Sequence, residues 1–89
     1  MLILTRPVGT AFKIGGNVTV TVVEVRNRRA SLAVMVRGSD PRVLAGCVGE
    51  SLRVDDKSTV TVMNIRGRQV SVGVMAPRDV RILREELCG

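Results

Sequence analysis

The sequence predicts an all-β fold of intertwined antiparallel sheets, on three observations. The apolar palette is Val, Ile, Leu and Met with a single aromatic, Phe12, a composition that suits pleated, half-buried strands. Runs such as Val18-Thr19-Val20-Thr21-Val22 and Val70-Ser71-Val72-Gly73-Val74 alternate with period two, the signature of a strand with one buried face. The chain also repeats itself: residues 8 to 36 align without a gap on residues 48 to 76, with 11 identities in 29 positions, which a duplication explains.

Taken in order, the chain opens on Met1-Leu2-Ile3-Leu4-Thr5-Arg6, a hydrophobic strand. Gly15-Gly16-Asn17 and, forty residues on, Asp55-Asp56-Lys57 interrupt the first hairpin of each repeat; Asn27-Arg28 and Gly67-Arg68 interrupt the second. Asn and Gly tolerate the positive φ angles of tight hairpins. In both repeats the alternation slips at one place, Val22-Val23 and Val62-Met63, after which the opposite face turns apolar at Val25 and Ile65. A bulge, or a strand passing between layers, produces such a slip. Met35 and Met75 fall inside strands and are expected to be packing residues. From Asp79 to Leu87, Val80 and Ile82 alternate like a strand before Arg84-Glu85-Glu86-Leu87 begins one helical turn.

Neither repeat of about forty residues buries both faces of a sheet alone, and 89 residues leave little core to divide. We therefore expect a single domain over 1–89, built from a first repeat (1–40) and a second (41–89). Arg37-Gly38-Ser39-Asp40-Pro41 is the connector, too short to let two domains move freely.

Fourteen basic residues oppose eight acidic ones, a formal charge of +6, and twelve of the fourteen are Arg. The planar fork of Arg donors suits phosphates and base edges, so a polyanion is the expected partner. His is absent, and Cys47 and Cys88 stand forty-one residues apart in no paired spacing. We expect no metal site, no cofactor and no structural disulfide. Without His, a paired-carboxylate motif or a nucleophile motif, an enzyme is the least favoured class. No signal peptide pattern or run of eighteen apolar residues appears, so the expected setting is cytoplasmic, with no membrane partner. Base stacking on aromatic residues, as in oligonucleotide-binding barrels, has only Phe12 to draw on.

The opening Met1-Leu2-Ile3-Leu4-Thr5-Arg6 with Val8-Gly9, and the later Gly73-Val74-Met75-Ala76-Pro77-Arg78-Asp79-Val80 with Arg84-Glu85-Glu86, resemble the two ends of the carbon storage regulator (CsrA/RsmA) family. The resemblance covers nearly the whole chain, once with the head intact and once with the tail intact. It implies a homodimer-like fold formed within one chain, a monomeric pseudo-dimer, with at most a helical stub at the C-terminus. It also implies an RNA-binding post-transcriptional regulator that grips GGA-containing hairpin loops in mRNA leaders or small RNAs and alters translation initiation or message stability. In the family each RNA site lies where the first strand of one subunit runs beside the last strand of the other.

Carried over position by position, the resemblance gives one RNA-binding site from Leu4, Thr5 and Arg6 with Ala76, Pro77, Val80, Ile82 and Arg84. Arg6 and Arg84 would offer forked donors, and the strand edges would offer backbone groups to single-stranded bases. The second site is eroded: only Arg37 to Cys47 covers the ground of two strands, and Gly46 and Cys47 stand where Arg6 and Pro7 stand. Arg42, in that eroded half, is expected to contribute little. The turn arginines Arg28, Arg29, Arg66 and Arg68 read as solvated tips. Pro7 replaces a second basic residue of the family pattern. The rival reading is a degenerate relative serving as a protein-interaction module that binds or titrates another regulator.

Overall fold

The computed structural model describes residues 1–78 and 80–84. Within them the chain forms nine strands and no helix: β1 (Leu2–Pro7), β2 (Ala11–Ile14), β3 (Val18–Arg26), β4 (Arg29–Val36), β5 (Arg42–Cys47), β6 (Ser51–Arg53), β7 (Thr59–Arg66), β8 (Gln69–Met75) and β9 (Ile82–Arg84). The all-β class holds. The helical turn expected after Arg84 falls on residues 85–89, outside those described.

Two antiparallel sheets share these strands, in the orders β1-β8-β7-β6 and β5-β4-β3-β2-β9. Each sheet has a three-strand meander from one half of the chain and borrows outer strands from the other half. The register of one sheet reproduces that of the other at a forty-residue offset. Leu4 pairs with Val72 as Leu44 pairs with Leu32, and Phe12 pairs with Val20 as Leu52 pairs with Val60. Both sheets also shift register at the expected slip, between Val22 and Glu24 and between Val62 and Asn64. The extra residue of each bulge turns Val23 and Met63 outward and brings Val25 and Ile65 half under cover.

The period-two pattern decides the core. Val18, Val20 and Val22, Leu32 and Val34, Val60 and Val62, and Val70, Val72 and Val74 all bury their side chains in one cluster, joined by Leu4 and a fully enclosed Phe12. Each such side chain contributes about 1.5–3 kcal/mol on burial. With no second aromatic to anchor the layers, the fold depends on many aliphatic contacts of similar size. Met35 and Met75 correct our expectation: they are 53% and 51% exposed and lie on the outer faces of the two sheets. Their neighbours in sequence, Val34 and Val74, take the inward positions, and strict alternation leaves the methionines no other side.

The β3–β4 hairpin closes through Asn27 (φ 52°) and Arg28 (φ 63°), the double positive-φ geometry that matches strand twist in a two-residue turn. In the connector, the Arg37 N–H donates to the Asn17 carbonyl (2.8 Å) and the Ser39 N–H to the Val36 carbonyl (2.9 Å). The first bond ties it to the first-hairpin turn, and the second closes a local turn after β4. Val80 does not enter the last strand as the alternation suggested. Its N–H is taken by the Pro77 carbonyl at 3.0 Å, so the ladder begins at Ile82.

Candidate functional site

β1 is an edge strand, with β8 on one side only. Leu4 and Arg6 point inward, 6% and 5% exposed, while Thr5 points outward and its Oγ1 lies 3.0 Å from Ser71 Oγ. The Val8 N–H donates to the Arg68 carbonyl at 2.8 Å, which sets the phase of the strand. Alternation then turns the backbone groups of Arg6 and Leu4 toward β8 and those of Thr5 and Ile3 toward the open edge. Pro7 follows in the same outward phase, where a missing N–H costs the ladder nothing. The sequence assigned Arg6 a fork of donors open to phosphate or guanine. Its side chain instead lies on the covered face of β1, and the groups presented at the edge are the Thr5 and Ile3 peptides.

The tail residues occupy the edge of the other sheet. Ala76 and Pro77 leave β8 half-buried, Ala76 against the core. Val80 packs over Gly15, and the Gly15 N–H donates to the Arg81 carbonyl. Ile82 then pairs with Ile14, and Arg84 is placed by its backbone opposite Phe12. β1 and β9 therefore share no ladder; each closes the edge of a different sheet. The chain links them, because β1 runs through residues 7–10 directly into β2, the strand that carries β9. The Thr10 Oγ1 and N–H both donate to the Pro7 carbonyl (2.8 and 3.2 Å), and the Gly9 N–H donates to the Val22 carbonyl (2.7 Å). This corner turns one sheet into the other between Arg6 and Phe12. Five residues lie between them, so Arg6 and Phe12, the partner of Arg84, are at most about 22 Å apart even if that stretch were fully extended.

Two contributors to this arrangement escaped the sequence reading. Ser71 fixes the Thr5 hydroxyl, and its only signal was its place in an alternating run. Gly15 admits β9: a Cβ there would stand 3.2 Å from Val80 Cγ1, and its φ is +63°. In the sequence it read as turn punctuation.

The corresponding half is built differently. β5 takes the place that β1 takes in the other sheet, as the short stretch Arg37 to Cys47 allowed, and β6 has no strand beyond it among the described residues. At the position of Arg6 stands Gly46, over which the Leu52 side chain has moved in: a Cβ on Gly46 would meet it at 3.2–3.4 Å. Arg42, to which no RNA contact was assigned, has a structural bond. Its Nη2 donates to the Val54 carbonyl at 2.7 Å, a partly buried bond that ties the start of β5 to the end of β6 across the two sheets. The arginines at 28, 29, 66 and 68 are exposed at the hairpin tips, as read from sequence.

Strand exchange between two repeated meanders, an Arg-rich composition and, among the described residues, sheet edges left unpaired at β1 and β6 define a small basic all-β protein. The CsrA family model, described as the global regulator protein family, matches residues 43–89, just over half of the chain. The chain belongs to that family of regulators. The match runs from β5 through the tail, so it covers the second repeat and leaves the first, with its Met1–Arg6 head, outside. No curated protein and no solved structure matched the chain significantly.

Proposed function

We propose that the chain is two fused family units folded as a monomeric pseudo-dimer. It recognises one GGA-containing hairpin loop, in an mRNA leader or a small RNA, and thereby affects translation initiation or message stability. The observation that carries this reading is the asymmetry of the edges. Among the described residues, only one corner has both a head strand, β1, and a tail strand, β9, flanking it. The other has β5 alone, with Leu52 filling the space over Gly46.

In this reading the outward peptides of Ile3 and Thr5 read splayed loop bases, as backbone groups at a strand edge do. Arg84 supplies the forked, charge-assisted contact to guanine or phosphate, and Ala76, Pro77, Val80 and Ile82 shape the surface between. Arg6 acts from the covered side, holding β1 in place beside the bases rather than opening its whole fork to them. The test is competition at near-physiological salt between a GGA hairpin and the same hairpin carrying CCA. Preference for GGA supports the reading; equal competition reduces the protein to a nonspecific polycation.

One observation favours the second reading, a protein-interaction module. The outer face of β1-β8-β7 exposes Met1, Ile3, Met63 and Met75 around Gly73, and the other sheet exposes Val23, Met35 and Val43 at the matching places. Such apolar faces serve protein contacts. A chain that ignores GGA hairpins yet retains this face would be assigned to that class.

A further inference from the structure

We propose that the outer edge of β6 is a docking site for an extended, basic segment of another protein, which adds to the four-stranded sheet as its fifth strand. This does not rest on the RNA reading. The Val62 N–H donates to the Glu50 carbonyl and the Val54 N–H to the Ser58 carbonyl, so the even-numbered residues of this segment face β7. The N–H and C=O groups of Ser51 and Arg53 consequently face outward, and no strand lies there among the described residues. A row of outward peptide groups is a template for strand addition.

The molecule itself shows what such an edge accepts. The strand equivalent to β6 in the other sheet is β2, and β2 is covered by β9, the run Ile82-Leu83-Arg84 preceded by Arg81, with Lys13 opposite Leu83 and Ile14 opposite Ile82. Beside β6 the corresponding space is a cleft of about 470 Å³. Its apolar floor is Val36 and Val54, and its rim carries Asp40, Asp55 and Asp56 together with Ser39, Arg42 and Arg53. Three of the eight acidic residues of a +6 protein thus line one cleft. Set against Arg42 and Arg53, they leave the lining one net negative charge on an otherwise basic chain, which favours a basic segment over nucleic acid.

A second copy of this chain is a poor occupant on simple arithmetic. Each copy has one Val80–Arg84 segment and two edges that accept it, so lending the segment to a neighbour's β6 uncovers the lender's own β2. Asp55 also stands where Gly15 stands and lacks its positive φ. The incoming segment must therefore be small at the position that Val80 holds over Gly15.

The probe is the acetylated, amidated peptide Gly-Gly-Arg-Ile-Leu-Arg, titrated into the full chain and followed by amide shifts. The expected result is saturable one-to-one binding that shifts the Ser51 and Arg53 amides and weakens with salt. Arg53→Pro removes one outward N–H and leaves the β7 ladder intact; it should weaken binding by at least about tenfold. The pair Asp55→Asn and Asp56→Asn, which leaves the backbone untouched, should also weaken it and serves if the proline variant fails to fold. No binding at about 1 mM peptide overturns the proposal. So do shifts confined to Ala11–Ile14, which would mean that the peptide displaces β9, and binding indifferent to the Asn pair. Sedimentation showing self-association that Arg53→Pro abolishes would assign the edge to a second copy, and Ser51 and Arg53 shifts with a GGA hairpin would assign it to RNA; either overturns it.

Discussion

Gly15 and Val80 meet where the last strand joins the fold: a Cβ on Gly15 would stand 3.2 Å from Val80 Cγ1, at a residue whose φ is +63°. The contact decides whether β9 can lie on β2. Gly15→Ala should cost about 1–2 kcal/mol, from the left-handed backbone alone, and should loosen β9 enough to weaken hairpin binding. Gly16→Ala is the control, because that glycine has neither a positive φ nor any atom within 4 Å of an added Cβ. Urea unfolding and a hairpin titration on both variants check the pair.

Arg42→Ala should behave as a stability variant. It removes the 2.7 Å bond to the Val54 carbonyl, and losing a charged donor to a partly buried acceptor costs about 1–3 kcal/mol. The unfolding midpoint should fall while hairpin affinity changes only by a small, salt-dependent amount.

Arg84 and Arg6 should separate in the same two assays. Arg84→Ala should weaken GGA hairpin binding by about 1–3 kcal/mol, the range for a bidentate base contact. Arg6→Ala empties a side chain that is 5% exposed, so it should lower the urea midpoint as well as the affinity. An Arg6→Ala protein with unaltered stability would show that the covered position carries no structural role.

How far the sequence foretold this can be judged at particular residues. The alternation from Val18 to Val22 and from Val70 to Val74, and the slip at Val22-Val23 and Val62-Met63, are backbone consequences of which residues want water, and the sheets obey them. The outward faces of Met35 and Met75 are not legible in the sequence because an apolar residue in an apolar strand does not announce its face; only the register with Val34 and Val74 does. In Leu2-Ile3-Leu4-Thr5-Arg6 both faces look usable, and tertiary packing turned the charged Arg6 inward with Leu4. The Arg42 bond joins residues on different sheets, and Gly15 matters through a contact sixty-five residues away. Neither relation has a local signature.

Gly46→Arg should not rebuild a second site. The arginine would have to displace Leu52 from a space where even a Cβ stands 3.2 Å away, and among the described residues no tail strand covers β6 to complete the corner. The variant should lose stability, as overpacking costs about 1–3 kcal/mol, and still bind a single hairpin by native mass spectrometry.

One recognition corner per self-contained chain fixes a stoichiometry that can be measured. Calorimetric titration with a GGA hairpin, paired with sedimentation equilibrium of the free protein, should give one hairpin per chain and a protein mass of 9.6 kDa. Two hairpins per chain would show that the β5 half binds RNA after all. One hairpin per two chains, with a free protein of twice that mass, would show that the site is assembled between molecules, contradicting the pseudo-dimer.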